Sequence, residues 1–266
     1  MAGELAAALS GPRILTIDLE RLPGEVTMDV WEPRDFGRIN YVHPDKWDVL
    51  PRTLSASGRF LGDKRIKFVA AWDQPDDPWH VARTVWGWLD QCDYLITYNG
   101  RRADEKWLRS DWVMGGMPLP APWRSIDLFL IARREFSFES KSLRHLCDRL
   151  GIENKDGHYN AAEAKAAMAG DVKAQARLRR YNKQDVNVTE MAFERLRPYL
   201  GSALNWGLTG TDEQRVCIAC GCEQLEPAGF ALTAVTRYPV YRCTQCKTVM
   251  RGKHRSAAVP MRGVVR

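Results

Sequence analysis

Two Cys-x-x-Cys knuckles near the end of the chain, Cys217-Ile-Ala-Cys220 and Cys243-Thr-Gln-Cys246, constrain its folding more tightly than any other feature. Four thiolates in this arrangement suit a closed tetrahedral Zn²⁺ site, and the 22 residues between the knuckles only slightly exceed the roughly 15–20 usual for such pairs. The segment from Leu232 to Tyr241 alternates enough to supply strands, so the C-terminal stretch reads as a small zinc ribbon with one structural Zn²⁺. So short a segment buries too little apolar surface to fold alone, which makes the metal part of its folding. Cys222 is a competing thiol that could replace Cys217 or Cys220; the favoured ligands are Cys217, Cys220, Cys243 and Cys246.

The same segment is strongly basic. From Cys217 onward, Arg237, Arg242, Lys247, Arg251, Lys253, Arg255, Arg262 and Arg266 stand against Glu223 and Glu226, and this excess equals the formal net charge of the whole chain, +6. A polyanion is the natural partner for such a concentration of charge, and a solvated basic tail is the alternative. Arg237, Tyr238, Tyr241 and Arg242 interleave aromatic and basic groups as base stacking and phosphate contact require. Arg242 is therefore a candidate nucleic-acid contact, although the tyrosines fit equally well as packing residues of the ribbon.

With 45% hydrophobic and 27% charged residues, the remainder is long enough to bury a proper core. The apolar stretch Leu5 to Leu9 is short and follows Glu4, and no later run approaches the roughly 18 apolar residues of a membrane span. We expect a cytoplasmic protein with no membrane partner and no disulfides.

Residues 13 to 19, Arg-Ile-Leu-Thr-Ile-Asp-Leu, form a β-branched apolar run that ends in acidic residues, as a core strand reaching a sheet edge would. From Arg21 to about Lys64 the pattern supports only short strands or loops. Strands are expected over Ile66–Trp72 and Tyr94–Tyr98. Helices are expected over Trp79–Leu89, with Val81, Val85, Trp88 and Leu89 inward, and over Asp104–Met114, Ile126–Arg134 and Ser142–Leu150. Gly151 sits at a C-cap position, and Ala161–Tyr199 is helical with a break at Gly170-Asp171. This order predicts an α/β fold, a mixed sheet flanked by helices. Three units are expected: a catalytic domain over 1–200, a linker over 201–214 and the ribbon with its basic tail over 215–266.

Within the first strand, Asp18 and Glu20 stand two apart and so share a face. Alone, such a pair is commonplace. Two further signals accompany it: Asn99-Gly100 with Asp104 in the turn and helix after the Tyr94 strand, and Tyr181-x-x-x-Asp185, one helical turn apart. In this order and spacing the chain resembles the DEDD superfamily of 3′-5′ exonucleases, in its tyrosine subclass, which includes the proofreading domains of family B DNA polymerases. The resemblance runs from about residue 13 to 199, and the stretch from Ser142-Leu143 through Leu150-Gly151-Ile152 to Lys155 is similar to one the family carries between motifs. The histidine subclass needs a His where this chain has Arg180. Ala103 stands where the family commonly has Phe or Tyr, and Tyr98 where it often has His, which points to altered substrate contacts.

The resemblance implies a ribonuclease H-like fold and a set of catalytic residues: Asp18, Glu20, Asp104, Tyr181 and Asp185. Asn99 and Lys155 would contact substrate. Carboxylates suit hard Mg²⁺ or Mn²⁺, and four of them could hold two ions roughly 3.5–4 Å apart. Asp18 would bridge both, Glu20 and Asp185 would bind the ion carrying the attacking water, and Asp104 the other. The expected activity is release of nucleoside monophosphates from 3′ ends, on single-stranded DNA ahead of RNA, with replication or repair proteins as possible partners. The rivals are a non-catalytic nucleic-acid-binding protein and an adaptor that docks its ribbon on a replication or transcription assembly.

Overall fold

The computed structural model describes residues 11–30, 32, 41–153, 159–208 and 215–261. Lys155, the Leu5 to Leu9 stretch, positions 209–214 of the expected linker, and the tail residues Arg262 and Arg266 lie outside them. A five-stranded mixed sheet organises the chain. Its first strand, β1 (Ile14–Leu22), carries Leu15, Ile17 and Leu19 into one core layer and Ile14 into the other, as the twofold period of a strand requires. β1 runs antiparallel to β4 (Arg52–Phe60), which runs antiparallel to β5 (Lys67–Ala70). On its other side β1 runs parallel to β6 (Tyr94–Thr97), which runs parallel to β7 (Arg124–Asp127). The sheet order is therefore β5-β4-β1-β6-β7, and a short ribbon of β2 (Glu25–Val26) and β3 (Trp47–Val49) stands apart.

Two of these strands depart from the sequence reading. β4 is a long, buried, central strand inside the region expected to hold only short ones. Its sequence, Arg-Thr-Leu-Ser-Ala-Ser-Gly-Arg-Phe, does alternate, with Leu54, Ala56 and Phe60 entering one core layer, but its middle residues are small and weakly apolar. A Cβ on Gly58 would lie 3.1 Å from the Trp88 ring and 3.2 Å from Ile17, so glycine fits best at that position. β7 replaces the first residues of the helix expected from Ile126: the helix starts only at Leu128, and Ile126 and Asp127 pair with β6.

Among the described residues six helices pack around the sheet. α1 (His80–Leu89) buries Val81, Val85, Trp88 and Leu89, each contributing about 1.5–3 kcal/mol of transfer free energy. Then follow α2 (Asp104–Met114), α3 (Leu128–Glu135), α4 (Leu143–Leu150), α5 (Ala161–Met168) and α6 (Val172–Leu196). Ser142 caps α4 through its side chain and Gly151 ends it in the left-handed region at φ 65°, a conformation glycine adopts without steric cost. The break at Gly170-Asp171 separates α5 from α6, and Asp171 caps the latter by accepting from Lys173 and Ala174. No helix among the described residues is long and apolar enough to cross a membrane.

Beyond α6 the chain stays packed. Leu204 is fully buried alongside Phe193, Leu196 and Leu200, so this part of the expected linker belongs to the core. The C-terminal strands β8 (Leu225–Leu232), β9 (Thr236–Cys243), β10 (Val249–Arg251) and β11 (Ala257–Ala258) form one antiparallel sheet around β9. Arg197 at the end of α6 donates to the Ala219 carbonyl at 3.0 Å, and the Trp206 amide to that of Ile218 at 2.8 Å.

Candidate active site

The end of β1 and the middle of α6 converge. A bulge between Glu20 and Arg21 interrupts the pairing of β1 with β4, a device that bends a strand and re-aims its side chains. Asp18, Glu20 and Asp185 each offer a carboxylate oxygen, all within 4.8 Å of one another. Tyr181, one turn before Asp185, directs its hydroxyl at that carboxylate and favours its charged form. A neighbour invisible to sequence reasoning holds Asp18, and a second holds that neighbour. Fully buried Asn182 donates through Nδ2 to Asp18 Oδ2 at 2.5 Å and to the Asp18 carbonyl at 3.1 Å. Its Oδ1 accepts from Ser55 Oγ of β4 at 3.4 Å. Arg21 does not neutralise the cluster, because its guanidinium is held by Asp111 at 3.5 Å and by the Pro51 carbonyl at 2.9 Å.

Asp104 stands outside that tight group, buried in the first turn of α2, yet close enough for its charge to raise the pKa of both Asp18 and Glu20. The turn that delivers it is built on Asn99 and Gly100. Asn99 takes a left-handed backbone at φ 64°, and a Cβ on Gly100 would lie 2.4 Å from Thr97. Buried Asp127 secures this turn: it accepts from the amides of Asn99 at 2.9 Å, Arg101 at 3.2 Å and Phe129 at 3.0 Å. An acidic residue just ahead of a helix was the available signal for Asp127 as an N-cap. Nothing in the sequence marked Asn182, since its role depends on which side of α6 meets the sheet.

Electrostatically the site is frustrated without a counter-ion. Burial first, then the neighbouring carboxylates, push Asp18 well above the ordinary aspartate range. Burial with Asp185 and Asp104 takes Glu20 to about 8. Burial and, against the opposing pull of its own backbone amide, the charges of Asp127 and Glu105 take Asp104 to about 7. Burial takes Asp185 to about 6, while the Tyr181 hydrogen bond opposes the rise. These folded-state values lie above those of an unfolded chain, so the folded protein without metal holds protons that the unfolded chain releases. The stability these groups contribute is complete below about pH 4 and is lost as pH rises through 6 to 8. The melting temperature of the metal-free protein should fall across that window, and Mn²⁺ should raise it more at pH 8 than at pH 5. Equal metal-induced shifts at both pH values in a thermal-melt series would contradict this.

The donor set itself, clustered carboxylates with raised proton affinity and no basic side chain bonded to them among the described residues, fits hard divalent cations. The C-terminal cluster is of the opposite type. Cys217, Cys220, Cys243 and Cys246 bring their sulfurs within 4.8 Å of one another, an arrangement compatible with a zinc ribbon. Cys222 is outside the group, with its sulfur near the Gln224 amide at 3.4 Å. Arg242 is exposed on β9, far along the chain from the carboxylates. Tyr238 and Tyr241 carry Arg251 and Arg215 over their rings at 4.4 and 5.7 Å, so both take part in packing within the ribbon.

A family model described as the RNase H superfamily matches residues 52–197. The match includes Asp104, Tyr181 and Asp185 and begins after the strand that carries Asp18 and Glu20. Among solved structures, the family B DNA polymerase from the hyperthermophilic archaeon Pyrobaculum calidifontis is similar over 75% of this chain, with a TM-score of 0.51 and 16% identity. The likeness is one of fold, and it covers 27% of the polymerase. No curated protein matches the chain by sequence.

Proposed function

The chain belongs to the RNase H superfamily, and from that premise we propose that it is a metal-dependent 3′-5′ exonuclease of the DEDD type, tyrosine subclass, acting on single-stranded DNA in preference to RNA. The observation that carries this reading is the meeting of Asp18, Glu20 and Asp185 within 4.8 Å, with the Tyr181 hydroxyl beside Asp185 and Asp104 within charge range. Two Mg²⁺ or Mn²⁺ ions held by Asp18, Glu20, Asp104 and Asp185 would supply Lewis-acid stabilisation and a water of lowered pKa.

The chain's own groups supply alignment. Asn182 fixes one Asp18 oxygen, leaving the other free to bind. Asp127 holds the Asn99 turn, and with it the start of α2 where Asp104 sits. Burial and the surrounding carboxylates raise the pKa of Tyr181, so its hydroxyl stays protonated at neutral pH and acts as a hydrogen-bond donor, not as a base. It orients Asp185 and the attacking water.

Tyr181→Phe is expected to lower kcat by roughly one to three orders of magnitude and to leave metal affinity nearly unchanged. Unchanged turnover would remove Tyr181 from the mechanism. Strongly weakened metal binding would make it a support of the carboxylates instead. The activity is tested with 5′-labelled strands: a ladder shortened one nucleotide at a time from the 3′ end, faster on DNA than RNA, supports the proposal. Internal cuts, or shortening from the 5′ end, overturn it. If strands are bound and left intact, the protein is a binding module or adaptor built on a nuclease fold.

A further inference from the structure

Before Cys217 the chain is electroneutral in sequence, yet its folded surface is not. The flank of α6 opposite the carboxylates, together with the turn joining β4 to β5, lines an open groove of about 1140 Å³. Its walls carry Arg59, Glu153, Glu190 and Glu194 alongside Lys64, Arg65, Arg179, Arg180 and Lys183. Two of the acids are already neutralised: Arg59 donates to Glu190 through Nε at 2.9 Å, and Arg197 to Glu194 at 2.5 Å. The other five cations have no ion pair among the described residues and face only Glu153. An aromatic lies among them, for half-buried Phe68 has Arg179 and Lys183 over its ring at 5.0 and 6.0 Å.

The groove has length and direction. From Ala176 to Glu194 it follows the helix for about 27 Å at about 1.5 Å per residue. Leu61 and Glu194 also line a second groove of about 380 Å³ that ends at Cys220, Gln245 and Cys246 of the ribbon. The groove along α6 thus reaches the segment that carries the chain's excess charge. α6 faces two ways, with Tyr181 and Asp185 toward the carboxylates and Arg179, Arg180 and Lys183 toward the groove.

We propose that this groove is a second nucleic-acid track, separate from the cleavage site, which holds the phosphate backbone of a long strand between α6 and the ribbon. The proposal rests on the nuclease reading for its substrate. Unpaired cations spaced along a groove neutralise successive phosphates, and a neighbouring aromatic is suited to sequence-independent stacking. The track therefore serves affinity for long strands, and chemistry at the 3′ end proceeds without it.

The test is the exposed variant Lys64→Ala/Arg65→Ala/Arg179→Ala/Arg180→Ala, with Lys64→Ala/Arg65→Ala as a milder second variant. Each is compared with the unaltered chain on a long strand and on a trinucleotide over a salt series. The long-strand KM should rise about tenfold or more, and the slope of log affinity against log salt should flatten by about 0.7 per cation removed. The long-strand kcat and all trinucleotide kinetics should stay unchanged. Long-strand KM and salt slope equal to those of the unaltered chain would overturn the proposal, as would equal losses on both substrates. If the unaltered chain cleaves neither substrate, the nuclease reading fails on its own, and equilibrium binding of the long strand to the same proteins still decides the groove.

Discussion

Changing Asp18 to Asn is expected to end nucleotide release while making the metal-free protein more resistant to heat. Asp18 is the carboxylate surrounded by the most others: Asp185, Glu20 and Asp104 all raise its pKa. Losing its charge removes a shared cation ligand, and with it several kcal/mol of transition-state stabilisation, or roughly three to five orders of magnitude in rate. The same change relieves like-charge repulsion at a buried position and keeps the side chain's shape and its hydrogen bond from Asn182. A purely structural acid would behave in the opposite way, with activity retained and stability unchanged or lowered. Steady-state kinetics and a melt in the presence of a chelator, done on the one variant, separate the two cases. Activity within tenfold of the unaltered chain would remove Asp18 from the mechanism.

The second large effect lies in the ribbon. Replacing Cys243 and Cys246 with Ser should eliminate about one tightly bound Zn²⁺ per chain and unfold the C-terminal segment, because zinc binding to sites of this type is worth about 10–16 kcal/mol of folding free energy. The core there is small: Cys217, Ala219, Cys243 and Met250 are its buried apolar members. Elemental analysis gives the metal count, and limited proteolysis should cut the variant between residues 215 and 261 while sparing the preceding domain. The proposed catalytic ligands all precede residue 200, so turnover at saturating substrate should survive while affinity for long strands falls. Equal loss of both would mean that the ribbon forms part of the active site. Unchanged zinc content would point to other ligands.

What could be read in the sequence followed from features that announce themselves locally. β1, β6 and α2 were legible because apolar runs end in acidic or turn residues, and the α4 cap because Ser142 and Gly151 stand at its two ends. The paired knuckles gave the cysteine cluster, while Cys222 stayed a competing thiol until the fold set its sulfur outside the group. β4 stayed hidden because its small residues answer to partners distant in sequence, Gly58 to Trp88 and Ile17 on one face and Ser55 to Asn182 on the other. β7 stayed hidden because Ile126 and Asp127 precede a helix without a break. The carboxylates could be found as motifs, but their partners could not: Asn182 and Asp127 matter through the surfaces they face. The basic groove was invisible for a related reason, since net charge sums to zero over residues that folding separates into a pairing set and an unpaired one.

The most direct measurement of the central claim is anomalous scattering from crystals of the unaltered chain grown with Mn²⁺ and a nucleoside monophosphate. Two manganese peaks roughly 3.5–4 Å apart, held among Asp18, Glu20, Asp104 and Asp185 with the phosphate beside Tyr181, are the predicted result. Manganese absent from these carboxylates at saturating concentration, with the nucleotide bound elsewhere, would contradict the assignment of this site as the place where strands are cut.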